Sequence, residues 1–417
     1  MNNNLNNLSV ARPSAKVAIY TGLMVAGAIL GFCKTVVFSK VMGIVGFGYY
    51  SVFILAASYG TYACNLGILD GLLREVSLLR GRNDELAASD IRNKAAGAIL
   101  VFSLSSLFVY CLFVLFFSNG NWNRTYILLM AGLFSAGTAF FMFGTLDLRT
   151  SLRVVPFSAM IALKAGISLF LGLIAVWLFG WQSIVVVEIL VVVSLFLIIR
   201  FFLLKNFKFQ LSDFAKIRRL VKTGFPIMLG NFTRNIALNI DRWFTVSIFG
   251  VSAFSQYSFG MIIATAGMVV SNIIGVYIGP GLLHEFGRTN DLLRMKHRVY
   301  YIVALIFLLF VAAWIPFIFA IDIIGAKYFP EYSQGISLMR LIYIGVMFQT
   351  MNMFDWVFIA SNKTYIIFNI SLGVGLLILA VCALASIFNS SLIEFAAIYS
   401  VGRAVHFLLG GFFQWKI

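Results

Sequence analysis

The chain has 417 residues, 61% of them hydrophobic and only 11% charged, with a formal net charge of +16. Soluble domains carry roughly 25% charged residues, so the composition excludes a water-soluble globular protein and places the chain in a bilayer. The surplus of Lys and Arg does not point to nucleic acid, because membrane topology and contact with anionic lipid account for it.

In chain order, residues 1–16 are a polar N-terminus. The first apolar run is too long for a signal-peptide core, and no small-residue cleavage site follows it. Twelve apolar stretches are predicted as spans: 17–39, 44–66, 95–118, 125–147, 154–179, 183–203, 223–249, 254–279, 300–321, 335–360, 365–387 and 392–412. A barrel strand needs only about 10 residues, so runs of this length predict helices. Residues 204–222, the longest connection, divide a six-helix bundle over 17–203 from a second over 223–413. This connection is basic and carries an apolar stripe (Phe207, Phe209, Leu211, Phe214, Ile217, Leu220), which predicts an interfacial segment along the membrane surface. Pro156 opens the fifth span, Pro226 opens the seventh, Pro280 ends the eighth and Pro316 bends the ninth.

Among the 31 Lys and Arg, only Lys40, Arg124 and Lys327 fall on the side opposite the N-terminus. By the positive-inside rule both termini are then cytoplasmic. The four cysteines, Cys33, Cys64, Cys111 and Cys382, are scattered through the spans without metal-ligand spacing and read as small apolar packers. No phosphate-cradling glycine loop, HExxH motif or catalytic carboxylate pair is found, and no outer loop has room for a catalytic domain. Neither a metal nor a cofactor is expected.

The two halves are related in sequence. Gly43, Phe47, Tyr50, Ser51, Ala57, Gly60 and Asn65 recur 207 positions later as Gly250, Phe254, Tyr257, Ser258, Ala264, Gly267 and Asn272. A fixed-period repeat sets the architecture before any finer feature does. Because each half has an even number of spans, the repeats enter the membrane in the same sense, as parallel repeats do in transporters.

Ionisable residues at membrane depth cost a few kcal/mol or more, so they face a cavity or a partner. The basic ones are Lys34, Lys164, Arg234, Arg242, Arg340 and Arg403. The acidic ones are fewer: Asp241, with Glu188, Asp355 and Glu394 nearer the span ends. Read as one helix, the seventh span gathers Asn231, Arg234, Asn235, Asn239, Asp241, Arg242 and Thr245 on one face as a polar lumen lining. Lys34 aligns with Asp241 at the repeat offset, which predicts an ion pair between them. The surplus of cations suits an anionic substrate, with Arg as a bidentate phosphate ligand and Lys as a point charge. Asp241, then Glu188 and Asp355, are the candidates for coupling to an ion. The competing reading of the acids is as structural ion pairs.

Twelve spans in two halves, together with Gly43-x3-Phe47-Gly48-x-Tyr50-Ser51 after the first span, resemble the polysaccharide-transporter branch of the multidrug/oligosaccharidyl-lipid/polysaccharide (MOP) exporter superfamily, and within it the Wzx-type O-antigen flippases. The resemblance covers roughly residues 15–413. It implies an all-α integral membrane fold of two parallel six-helix repeats around a central cavity. It further implies translocation of an undecaprenyl-pyrophosphate-linked oligosaccharide from the inner to the outer leaflet of a bacterial inner membrane. Membrane lipids, a polysaccharide polymerase and a chain-length regulator are the implied partners. Two rival readings remain open: a drug/cation antiporter of the same superfamily, and a polytopic polysaccharide polymerase or ligase.

Overall fold

The computed structural model describes residues 15–81, 84–117, 122–151, 153–204, 207–211, 213–266, 291–361, 363, 365–388 and 390–416, with the isolated positions 268, 282, 286 and 289. Among these the chain is helical and contains no strand. The helices are α1 (Ala15–Asn65), α2 (Ile68–Gly81), α3 (Glu85–Phe117), α4 (Trp122–Thr150), α5 (Val154–Phe179), α6 (Ser183–Ile198), α7 (Phe214–Ala237), α8 (Ile240–Thr265), α9 (Leu292–Tyr328), α10 (Ser333–Met351), α11 (Asp355–Ala360), α12 (Tyr365–Ile387) and α13 (Leu392–Lys416). A π-helical turn, Ile199–Leu203, extends α6, and a 3₁₀ turn, Pro330–Tyr332, precedes α10. Nine of the described helices are long and apolar enough to cross a membrane.

The first and second predicted spans are the two arms of α1, which turns at Gly43 (φ 67°, ψ 175°). The same turn occurs inside α8 at Gly250 (φ 79°, ψ −177°). Both glycines occupy a backbone region that is essentially closed to residues with a Cβ. The repeat is therefore a repeat of structure: the two glycines mark the same bend, and Phe47, Tyr50 and Ala57 are buried beyond it as are Phe254, Tyr257 and Ala264. Positions 267, 272 and 280, like the N-terminus before Ala15, lie outside the described residues.

Three sequence expectations are corrected. The seventh span is not one helix: it breaks at Leu238–Asn239 between α7 and α8. The tenth breaks at Asn352–Phe354 between α10 and α11. Pro226 does not open a helix but lies twelve residues inside α7, which starts at Phe214. The stripe of the 204–222 connection is divided, with Leu211 and Phe214 exposed. Phe207 stacks edge-on against Phe196 (centroids 6.4 Å apart) and Phe209 against Phe140 (6.2 Å), while Ile217 and Leu220 are buried in the same core. Backbone bonds hold this segment to α3: Gln210 N donates to the Asn93 carbonyl at 3.2 Å, and Lys208 N to Asn93 Oδ1 at 3.3 Å. One helix, α2, was not anticipated.

The chain divides into two compact units. One takes the chain up to Lys34 with Ala63–Phe113 and Gly132–Phe225; the other takes Thr35–Tyr62, Val114–Ala131 and Pro226–Ile417. The core of the first joins α2, α3, α4, α6 and the start of α7 through Ile68, Leu72, Ala95, Ile99, Phe143 and Leu220. In that core, a methyl group on Gly224 would collide with the Gly67 carbonyl, so α2 and α7 meet backbone to backbone. The second unit centres on stacked Phe259 and Tyr332 (4.3 Å), with the Tyr332 hydroxyl donating to the Ser39 carbonyl at 2.9 Å. Gln256 links the 3₁₀ turn to α10: its Nε2 donates to the Glu331 carbonyl at 2.7 Å, and its Oε1 accepts from Gly335 N at 2.9 Å.

Candidate functional site

In the first unit the deep charges form one group. Lys34 Nζ lies 2.8 Å from Glu188 Oε1 and 3.3 Å from Ser168 Oγ, and Ser168 Oγ donates to the same Glu188 oxygen at 2.7 Å. The Glu188 side chain is 1% exposed and that of Lys34 15%. Lys164, one helical turn before Ser168 on α5, holds its ammonium over the rings of Phe141 (5.1 Å) and Phe134 (5.6 Å). An ammonium over an aromatic face gains electrostatic attraction without a carboxylate. The group thus has two cations and one acid. The expected Lys34–Asp241 pair is not formed: Lys34 pairs with Glu188, and Asp241 has another partner. Glu188 sits on α6 directly across from Lys34, a relation invisible to the repeat offset.

In the second unit the two helix breaks are joined by an ion pair. Arg234, in the last turn of α7, places Nη2 2.8 Å from Oδ2 of Asp355, the first residue of α11. Each break frees backbone groups that a continuous helix would satisfy. Arg403 Nη2 donates to one of these, the Leu238 carbonyl, at 2.5 Å, and its guanidinium stacks on Tyr399 at 4.5 Å. Arg403 is 3% exposed, and its Nε is buried without a hydrogen-bond partner. Arg242 Nε is in the same condition. Asn352, in the second break, bonds His406 Nδ1 at 2.9 Å, and Ser371 Oγ approaches His406 Nε2 at 3.4 Å. Asp241 is buried and accepts a short hydrogen bond from the Tyr257 hydroxyl. Asn239 caps the first break, its amide reaching the Asn235 carbonyl at 2.8 Å and Asn235 Oδ1 at 2.7 Å.

The sequence-predicted residues therefore separate into three classes. Arg234, Asp355, Arg403, Arg242, Asp241, Asn235 and Asn239 collect around the breaks of the second unit. Lys34, Lys164 and Glu188 collect in the first. Arg340 joins neither: it is exposed and pairs with Asp322 at 2.7 Å. Asn231 is exposed one turn before Asn235. Glu394 is a helix cap, accepting from Ser391 N at 2.7 Å at the start of α13. Because α7 and α8 are separate helices, the single polar face read across 231–245 does not exist. What gathers those residues is the break itself. Asn352, Ser371 and His406 were missed, although a polar Gln-Thr-x-Asn run inside an apolar span was the available signal.

At the basic end of the first unit, outside the spans, Asp213 lies 3.2 Å from Lys94 Nζ, and hydrogen bonding to that lysine holds its carboxyl below the usual range. Asp70, at the start of α2, is pushed up to about 6 by burial.

No protein-family model matches the sequence, and the curated proteins yield no match either. Solved structures do. The chain is similar to the inward-facing conformation of a MATE-family multidrug resistance transporter of the MOP superfamily, with a TM-score of 0.72 at 15% identity over 96% of this chain and 98% of that one. It is similar to an outward-facing conformation of such a transporter at a TM-score of 0.62 and 15% identity, over 94% and 97%. A MOP superfamily transporter from Pyrococcus furiosus, described by a binding pocket of reverse polarity that suggests a different function, matches at 0.62 and 14% identity over 95% and 96%. The fold is thus the all-helical MATE-like fold of MOP superfamily transporters.

Proposed function

We propose that the chain is a MOP-superfamily exporter for an anionic lipid-linked oligosaccharide, carrying an undecaprenyl-pyrophosphate-linked repeat unit from the inner to the outer leaflet of a bacterial inner membrane. The observation that supports this most is the charge balance at the helix breaks. Among the described residues, Arg234, Arg242 and Arg403 stand against two carboxylates, Asp241 and Asp355, and two of the guanidiniums hold a buried Nε with no acceptor. Discontinuous helices are where transporters of this kind of architecture bind substrate, because the breaks present unpaired backbone groups and oriented dipoles. Arginine forks suit a pyrophosphate, which offers several acceptor oxygens in bidentate geometry.

In this reading Arg403 and Arg242 take the phosphate oxygens, and Arg234 exchanges Asp355 for substrate. Lys34 and Lys164 form a cationic group of their own in the first unit. Asp241, Glu188 and Asp355 remain the coupling candidates: protonating one would release the cation or hydroxyl it now holds and shift the balance between inward- and outward-open states. The lipid tail stays in the bilayer.

The test is complementation in a host depleted of the protein, with lipid-linked oligosaccharide located by a glycosidase that reaches only the outer leaflet. Arg234→Ala with Arg403→Ala is expected to trap intact repeat units in the inner leaflet at normal protein abundance. Wild-type surface glycan in the double variant would overturn the anion-site reading. The fold likeness to multidrug transporters favours, as a second reading, an antiporter for drugs or cations. It needs carboxylates open to a cationic ligand, whereas here Asp355 and Glu188 are each held by a cation. Raised drug susceptibility on depletion, with glycan intact, would decide for it.

A further inference from the structure

The basic end of the first unit holds a cavity of about 320 Å³ that the transport reading does not use. The C-terminal ends of α2 and α4, the N-terminal ends of α3 and α5 and the π turn after α6 enclose it. Its charged walls are Arg80, Arg92, Arg153, Asp147 and Glu85.

Asp147 is shared. Arg80 Nη2 donates to its Oδ1 at 2.9 Å, and Arg92 Nη1 lies 3.5 Å from its Oδ2. Arg80 is fixed further by Thr150 Oγ1 at 2.5 Å and the Asp147 carbonyl at 3.2 Å. Arg92 Nη2 reaches Ser89 Oγ at 3.0 Å, and Arg153 Nη1 donates to the Leu203 carbonyl at 2.7 Å. The second acid, Glu85, is 3.4 Å from Arg80 Nε, but its side chain is 69% exposed at the rim. Three guanidiniums therefore face one buried carboxylate. The opposite face of α3 shows what a purely structural charge group looks like here. There Lys94 and Lys216 are matched one for one by Asp90 and Asp213.

Two further features fit an anion. The cavity is open rather than packed. Its lining includes Leu86, an apolar side chain 87% exposed at the mouth, where an acyl chain would run. Basic pockets between membrane helices recognise phosphate headgroups by these means.

We propose that this cavity is a binding site for a phosphate-bearing anion, with the headgroup of an anionic phospholipid as the source that its apolar rim favours. Asp147 orients Arg80 and Arg92 in advance, so the ligand meets a formed site and adds its phosphate across Arg92 and Arg153. The bound headgroup would pin the ends of five helices at the membrane surface. The site lies wholly within the first unit and does not depend on the substrate carried.

The experiment uses the purified full chain in neutral detergent, titrated with phosphatidylglycerol, with phosphatidylcholine, or with soluble inorganic pyrophosphate. Thermal stability and native mass spectrometry are the readouts. Phosphatidylglycerol is expected to bind and stabilise where phosphatidylcholine does not. Arg153→Gln, whose side chain among the described residues donates to a backbone carbonyl, should weaken binding by about tenfold, the loss of one charge-assisted hydrogen bond. Glu85→Gln should tighten it, and Lys216→Gln in the balanced group should leave it unchanged. If pyrophosphate alone binds with the same dependence on Arg153, the site stands and its source is a soluble anion. Binding that falls equally in Arg153→Gln and Lys216→Gln, or no preference for the anionic lipid or pyrophosphate, would overturn the proposal.

Discussion

Positions 34 and 241 correspond at the repeat offset, yet one is a lysine and the other an aspartate, and each is held within its own unit by a different device. Lys34 uses a full ion pair, with Glu188 held further by Ser168. Asp241 uses the hydroxyl of Tyr257, a residue whose repeat mate is Tyr50. The backbone tells the opposite story: Gly43 and Gly250 make the same left-handed bend within about 12° in φ. The repeat carries over a fold and leaves the charges free to diverge. One half has a continuous helix leading to its glycine bend. The other has a helix broken at Leu238–Asn239, with a buried arginine on the exposed carbonyl.

The comparison is broken most severely at Glu188. Removing one partner of a buried ion pair leaves an uncompensated charge and costs about 3–5 kcal/mol. Glu188→Ala should therefore lower the thermal unfolding temperature far more than Asp241→Asn, because asparagine still accepts from Tyr257. The pair Lys34→Met with Glu188→Leu should recover most of the loss. Thermal unfolding of the purified chain in detergent ranks the three. An equal cost for Glu188→Ala and Asp241→Asn would mean that the two positions are neutralised in the same way after all.

The glycine bends sharpen the other side. Neither glycine has an atom within 4 Å of where a Cβ would stand, so alanine brings strain and no clash. Gly43→Ala and Gly250→Ala should each cost about 1–3 kcal/mol, and by equal amounts. The same unfolding measurement checks this. A cost confined to one of them would show that the two bends are not equivalent elements of the repeat.

These elements also mark how far the sequence could be read. Apolar runs near 20 residues gave α3, α4, α5, α6, α12 and α13 to within a few residues at most ends, because a span's length is set by bilayer thickness. The repeat offset located both glycine bends. The seventh and tenth spans failed for a common reason. A break of two or three residues hardly alters a hydropathy window, and Asn239 and Asn352 end helices through local hydrogen bonds that no period records. Ion-pair partners were legible only as inventory. That Asp355 answers Arg234, or that Asp147 gathers Arg80 and Arg92, depends on which helices pack together. The amphipathic α2 was hidden between basic residues that read as loop.

The smallest effect concerns two carboxylates at the basic end of the first unit, again one with cations and one without that help. Lys94 holds the Asp213 carboxyl below its ordinary value, so the stability it contributes is present above the unfolded pKa and is lost as pH falls through the folded one. Asp70 runs the other way. Burial raises it from 3.8 to about 6, so between about pH 4 and pH 6 the folded state holds a proton that the unfolded state has released. Stability then falls as pH rises through that window and stays flat above it. Asp70→Asn removes the buried charge and should stabilise the chain at pH 7 by on the order of 1 kcal/mol, discounted because the side chain is partly solvated. The gain should vanish near pH 4. Asp213→Asn should instead destabilise at pH 7, with a loss that shrinks on acidification. Unfolding temperatures of both variants from about pH 2 to about pH 8 test the pair, the Asp213 change falling below about pH 4 and the Asp70 change above it, and slopes of the same sign would mean that Asp70 is solvated like an ordinary surface acid.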